Sequence, residues 1–111
     1  MSIKELREAV QAGGNYAHID FFTPLDPLTE MGDLGIDGRN AYCGSLDAAK
    51  RLHDALLPGW VITIERVNSG QWMATLRLEP RVGTVRANDS DGARAWLLAL
   101  LRALEEEGRD G

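Results

Sequence analysis

The sequence contains a single cysteine, Cys43, among its 111 residues, so no disulfide can form within the chain. A chain of this kind suits a reducing compartment. The first residues carry charges where a signal peptide needs an apolar run. The longest apolar stretch, residues 95–101, is far shorter than the ~20 residues that a membrane-spanning helix needs. We therefore expect a cytoplasmic protein with no membrane partner.

Positive charge is also scarce, because twelve Lys and Arg residues face seventeen Asp and Glu residues and give a net charge of −5. Duplex nucleic acid is bound largely through phosphate contacts, so this charge balance argues against duplex nucleic acid as the partner. Double-stranded RNA-binding domains share the element order inferred below, but they need a lysine-rich start to the last helix. This chain has Asn88 and Asp89 there, so RNA binding is not expected.

The N-terminal part of the sequence predicts one helix followed by an irregular segment. Ser2 and Glu5 form a capping box, and apolar residues at positions 3, 6 and 10 share a face, which predicts a helix over 3–12. Residues 15–44 show no clear period, contain two prolines, and carry Gly32, Gly35 and Gly38 at intervals of three. We expect an ordered wrap with a helical turn near 28–31 and a flexible glycine loop that matches no nucleotide or calcium motif.

The rest of the chain predicts a helix, three strands and a closing helix. Ser45 is a good N-cap for a helix over 46–57, with Leu46 on its inner stripe. Runs 60–67 and 71–78 are β-branched or alternating and flank a turn at 68–70, and a third strand is predicted over 84–87. Residues 88–91 should begin the last helix, where Leu98 and Leu101 widen the apolar surface enough to meet a second subunit.

The predicted fold class is therefore α+β, with a helix, a three-stranded antiparallel meander and a helix (α-β-β-β-α). Residues 1–44 should form the N-terminal helix and wrapping segment, 45–108 the sandwich domain, and 109–111 a frayed tail. The 44% hydrophobic content and the chain length fit one core.

Four stretches have the appearance of a known family. The sequences AYCGSLDAA at 41–49, LPGW at 57–60 and GQWMA at 70–74, with the Ala- and Leu-rich closing helix, resemble the phage ABA sandwich domain. The resemblance covers residues 42–104 and implies a small phage or prophage protein with a helix–meander–helix order. The family has no agreed activity, so the resemblance implies no functional residues.

Reactive side chains are few and lack partners in the sequence. His18 lies two residues from Asp20, but a metal site needs three or four ligands, and no third is evident. Cys43 has no evident base, so a small buried filler is the better interpretation of this residue than a nucleophile. His18 and His53 are interpreted as surface or half-buried histidines. We expect no metal site, no cofactor and no catalysis.

Arginines and aromatics remain as candidate contacts for an anionic ligand, since arginine grips phosphate bidentately and an aromatic ring stacks on a base. The predicted ligand-binding residues are Arg39, Arg66, Trp72, Arg77, Asn88, Asp89 and Arg94. The site would lie between subunits of a homo-oligomer, with Asn88 and Asp89 at a helix start.

The expected function is that of a non-enzymatic phage accessory protein that self-associates and binds a partner, with a nucleotide immune signal as the candidate ligand. The alternative is an inhibitor of a host protein, or a virion or assembly protein, that acts through its acidic surface. A hydrolase or transferase is disfavoured, because no base–nucleophile pair is evident.

Overall fold

The computed structural model describes residues 2–29, 33–78 and 84–108 of the chain. These residues form an α+β fold, which confirms the predicted class. The helices are α1 (Ile3–Ala12), α2 (Phe22–Leu25), α3 (Leu34–Tyr42), α4 (Leu46–Leu56) and α5 (Gly92–Glu106), and the strands are β1 (Trp60–Asn68), β2 (Gln71–Leu78) and β3 (Thr84–Asp89). Short 3₁₀ turns cover Tyr16–His18 and Asp26–Leu28. The predicted frayed tail, 109–111, and the end of the predicted turn at 30–31 lie outside the described residues.

The three strands form one antiparallel sheet in the order β1-β2-β3. Alternate residues on the inner face, among them Ala74, Leu76 and Val85, are at most 5% exposed and pack under α5. The outer face carries Thr63 and Arg86, which are exposed, and Met73 and Thr75, which are half-buried. The period of two along each strand therefore divides the sheet into a core face and a polar face.

Helix α5 lies at the centre of the molecule, and this position corrects one prediction. It contacts the sheet on one side and α1, α3 and α4 on others. Leu98 and Leu101, which were expected to meet a second subunit, are only 2% and 1% exposed. The chain covers them itself, because the N-terminal helices supply the second layer. The wide apolar surface of α5 is therefore no evidence of self-association.

The segment 15–44 is more regular than its sequence predicted, since α3 alone spans Leu34–Tyr42. Gly35 and Gly38 lie within α3 and are buried, so the prediction of a flexible glycine loop was wrong there. A Cβ atom on Gly35 would lie 2.5 Å from Cδ1 of Phe22, and one on Gly38 would lie 2.6 Å from Cδ1 of Leu25. These glycines therefore allow α2 to approach α3 closely. Gly32 lies outside the described residues.

His53 is 5% exposed and joins three elements, so the prediction of a surface or half-buried histidine was wrong for it. Trp96 Nε1 donates to His53 Nδ1 at 3.3 Å, and His53 Nε2 then serves as the donor to the Trp60 carbonyl at 2.7 Å. The two bonds fix one neutral tautomer of the imidazole. They also link α4 to the start of β1 and to α5.

Two side chains predicted to be inside lie outside. Cys43 is exposed, because it lies at the C-terminal cap of α3 and not on the buried face of a strand or helix. Leu46 is 53% exposed, because it is the first residue of α4 and extends beyond the stripe formed by Ala49, Leu52 and Leu56. Leu46 instead lines the groove described next.

Candidate ligand-binding groove

Strand pairing brings together three of the residues predicted to bind ligand. Arg66 of β1 lies opposite Trp72 of β2, and Trp72 lies opposite Asp89 of β3. Residues that are directly opposite share a face, so these three form a row across the inner side of the sheet. The guanidinium carbon of Arg66 lies 6.0 Å from the centroid of the Trp72 ring, within the range of a cation–π contact.

A groove of about 430 Å³ opens beside this row, at the N-terminus of α5. Its wall is mainly apolar and comes from four separate elements. The lining residues are Gly44, Leu46, Ile64, Trp72, Ser90, Asp91, Gly92 and Ala93. Gly92 leaves space at the bottom of the groove, since a Cβ atom there would lie 3.7 Å from the Trp72 indole. The half-buried indole therefore offers a flat face to a ligand.

Both carboxylates near the groove are already engaged. Asp91 is the N-cap of α5, and its Oδ1 accepts a bond from the Arg94 backbone N–H at 3.0 Å. Asp89 Oδ1 accepts from the Asp91 N–H at 3.1 Å. Asp89 was predicted at a helix start with Asn88, but both residues are the last of β3. The ladder with β2 continues to Asp89, and Asp91 takes the capping role, which explains the difference.

Arg94 belongs to the scaffold of the groove. Its Nε and Nη2 donate to the Tyr42 carbonyl at 3.1 and 3.0 Å, and its guanidinium carbon lies 4.2 Å from the Tyr42 ring centroid. Nη1 lies 3.9 Å from Asp89 Oδ1. The side chain thus fastens the end of α3 to the start of α5. These contacts hold Gly44 and Asp91 on the same side of the groove.

Arg66 is the cation beside the exposed part of the indole. Its Nε and Nη2 donate to the carbonyls of Asn68 and Ser69, at 3.3 and 3.0 Å, in the β1–β2 turn. Both bonds are exposed to solvent and orient the guanidinium without neutralising its charge, because carbonyl oxygens carry no net charge. Arg66 therefore combines a fixed position with a positive charge that a ligand could approach.

The other predicted residues lie elsewhere. Arg77 and Asn88 lie on the outer face of the sheet, opposite in direction to Trp72. Arg39 lies on α3, and no contact among the described residues joins it to the row. The outer face also holds Arg86, whose carbonyl accepts from Arg102 Nη1 at 2.6 Å. The alternation of side chains along β2 places Arg77 and Trp72 on opposite faces at the sequence level as well.

Sequence reasoning missed most of the groove lining. Leu46 was assigned to the core, and Gly92 received no role. No local signal could have found them, because the groove forms only when the α4 start, the sheet and the α5 start meet.

The remaining titratable groups form no second site in the ranges 2–29, 33–78 and 84–108. These ranges contain no group of three or more His, Cys, Asp or Glu side chains able to hold a metal ion. His18 is exposed. Asp20 is used at the start of α2, where hydrogen bonds from the Thr23 side chain and backbone lower the pKa of its carboxyl. In the same ranges no helix has the length and apolar character needed to span a bilayer.

Comparison of the chain with protein-family models, with curated proteins and with solved structures finds no match.

Proposed function

We propose that this chain is a non-enzymatic binding protein that takes a planar, negatively charged small molecule of the nucleotide class in the groove. The observation that carries the proposal is the half-buried Trp72 indole, with Arg66 next to it, at the side of an open cavity of about 430 Å³. A base ring would stack on the indole, and stacking of this kind contributes about 1–3 kcal/mol per base. The phosphate would then meet the Arg66 guanidinium.

The charge balance around the groove supports this ligand class. Arg94 and backbone N–H groups already engage the Asp89 and Asp91 carboxylates. A phosphate placed toward Arg66 would lie at the turn between β1 and β2, on the β1 side of the row, whereas both aspartates lie at the β3 side. The resemblance of residues 42–104 to the phage ABA sandwich domain adds the biological setting of the proposal, sequestration of a nucleotide immune signal by a phage accessory protein.

Isothermal titration of the full chain against cyclic nucleotides and cyclic ADP-ribose isomers tests the proposal. We expect heat with at least one ligand, and a loss of affinity of about tenfold to a hundredfold in Trp72→Leu, because the stacking face is removed. Arg66→Gln should weaken phosphate-bearing ligands and spare the corresponding nucleosides.

Two variants serve as matched controls. Trp60→Leu removes a half-buried tryptophan from the other end of the same inner face, where its Nε1 donates to Glu107. Arg77→Gln removes an arginine from the outer face. Both should bind the ligand as the natural sequence does. A panel that gives no heat, or Trp72→Leu that binds unchanged, would remove the groove as the site.

A second candidate function is binding of a host protein. Three large apolar side chains of the N-terminal part are exposed, Tyr16 at 48%, Phe22 at 40% and Ile36 at 40%. Phe22 packs on Gly35, the neighbour of Ile36, so two of the three lie close together. Apolar anchors within an acidic surface fit a basic protein partner. A pull-down that loses its partner in Phe22→Ser and Ile36→Ser, but retains it in Trp72→Leu, would favour this candidate.

A further inference from the structure

The two edges of the sheet are protected unequally. Within the described part of the chain, the order β1-β2-β3 leaves β1 and β3 each with one free side. On β3, the Arg86 carbonyl accepts from Arg102 Nη1, so a side chain of α5 covers the middle of that edge. Edge strands usually carry such covers, or lysine and proline, that prevent pairing with another chain. Strand β1 runs for nine residues, WVITIERVN, with neither lysine nor proline, and its pairing with β2 is regular from Trp60 to Arg66 and shifts between Arg66 and Asn68.

The free backbone groups of β1 can be identified from its first residue. The Trp60 N–H donates to the Leu57 carbonyl at 3.0 Å, and the Trp60 carbonyl accepts from His53 Nε2. Both groups therefore point away from β2. Because backbone groups alternate between the two sides of a strand, those of Ile62, Ile64 and Arg66 point to the same free side.

We propose that two copies of the chain associate by antiparallel pairing of β1 with β1 across a two-fold axis at Ile64, giving one six-stranded sheet. In this register Ile62 pairs with Arg66 of the second copy, and about six backbone hydrogen bonds form through the free groups. On the exposed side Thr63 lies opposite Glu65 of the second copy, and both residues precede the irregularity of β1 between Arg66 and Asn68. This inference does not depend on the ligand proposal.

Charge and hydrogen bonding favour a two-fold axis at Ile64 over an axis at Glu65 or Thr63. An axis at Glu65 would place two carboxylates directly opposite each other, which is destabilising. An axis at Thr63 would set Glu65 against Val61 and would pair Arg66 with Trp60, whose backbone groups are already bonded within the chain. The axis at Ile64 instead places Glu65 opposite Thr63 of the second copy, which has a hydroxyl donor.

The same register has a consequence for the groove. The side chain of Ile64 lines the groove and would lie on the two-fold axis. The two grooves of the pair would therefore adjoin, and each would lie next to the β1 strand of the other copy. An isologous contact of this kind closes after two copies and does not continue into a fibre.

Sedimentation velocity of the full chain tests the association, and a charge series tests the register. We expect a dimer of the 12.2 kDa chain. Thr63→Glu puts a carboxylate opposite that of Glu65 on both sides of the axis and should weaken the dimer by about tenfold or more. Thr63→Lys puts opposite charges together and should retain it. Thr84→Glu, on the same outer face at the β3 edge, is the matched control and should retain it as well.

Cross-linking gives a second measurement that does not depend on affinity. In a Cys43→Ser background, Thr63→Cys with Glu65→Cys should oxidise to a covalent dimer, since residues facing each other without hydrogen bonds lie ~4.5 Å apart at Cα. The pair Val61→Cys with Glu65→Cys would be cross-linked only if the two-fold axis lay at Thr63. This variant should therefore form no covalent dimer. A monomer at high micromolar concentration, a dimer indifferent to Thr63→Glu, or cross-linking only in the pair Val61→Cys with Glu65→Cys would each overturn the proposal. Circular dichroism of every variant confirms that it is folded.

Discussion

Two regions of the molecule use glycine in opposite ways. Where α2 meets α3, Gly35 and Gly38 are closely covered, and an added Cβ would lie within 2.6 Å of a neighbouring atom at either position. At the groove, a Cβ on Gly92 would find ordinary contacts at 3.7–3.8 Å with Trp72 and Ile64. The first region is a close-packed contact between two helices, and the second is an open groove. The same residue type thus marks a packed junction in one place and an open site in the other.

The largest expected effect comes from Gly35→Ala, which would break the packed junction. The added methyl meets the Phe22 Cα atom at 2.7 Å, so the backbone of α2 must move. We expect a loss of about 1–3 kcal/mol in the free energy of unfolding, measured by urea denaturation. Gly38→Ala should cost less, because its neighbour is the terminal methyl of Leu25. A gain of about 1 kcal/mol in Gly35→Ala, as helix propensity alone predicts, would contradict the packing argument.

A smaller effect on stability is expected at the open region. Gly92→Ala fits the available space, so the free energy of unfolding should stay within about 0.5 kcal/mol of the natural chain. Gly92→Leu should place its side chain over the Trp72 indole and weaken the ligand of the titration panel by about tenfold or more. A Gly92→Ala variant as unstable as Gly35→Ala would show that the two regions do not differ.

The smallest effect concerns the start of α2, which holds the packed junction in place. Asp20 Oδ1 accepts from the N–H groups of Phe22 and Thr23, each at 3.1 Å, and bonding to Thr23 lowers the pKa of this carboxyl below 3.8. A group with a lowered folded-state pKa stabilises the fold above its unfolded pKa and loses this contribution as the pH falls through its folded pKa. The natural chain should therefore lose more stability than Asp20→Asn as the pH falls below 3.8. Equal losses in acid denaturation would contradict this role.

The packed junction also shows where sequence reasoning succeeds and where it stops. Helices α1 and α4 were predicted to within a residue, because each has its own cap, Ser2 or Ser45. Helix α3 was missed, because its N-cap Asp33 has a φ of 63° and makes no side-chain cap bond. The cap comes from Asp26, whose Oδ1 accepts from the Gly35 N–H at 2.7 Å. A cap from nine residues away leaves no local signal.

The candidate site was predicted only in part, for a related reason. Arg66 and Trp72 come together because strand pairing is a regular consequence of the predicted meander, whereas Asp89 joins them because β3 continues two residues beyond the predicted strand. The space beside them depends on how the first residues of α4 and α5 meet the sheet, which no pattern in either helix encodes. The expectation that α5 meets another subunit failed because an apolar helix surface does not reveal whether its cover comes from the same chain.

The hydrogen bonds through His53 make the indole proton of Trp96 a probe of how often α4 and α5 separate. The Trp96 indole proton is held by an imidazole that is itself fastened to the first residue of β1. Solvent can exchange that proton only when α4 and α5 part from each other, since Trp96 is 8% and His53 5% exposed. A single indole signal in a deuterium-exchange NMR experiment would therefore time how often the two layers of the molecule separate.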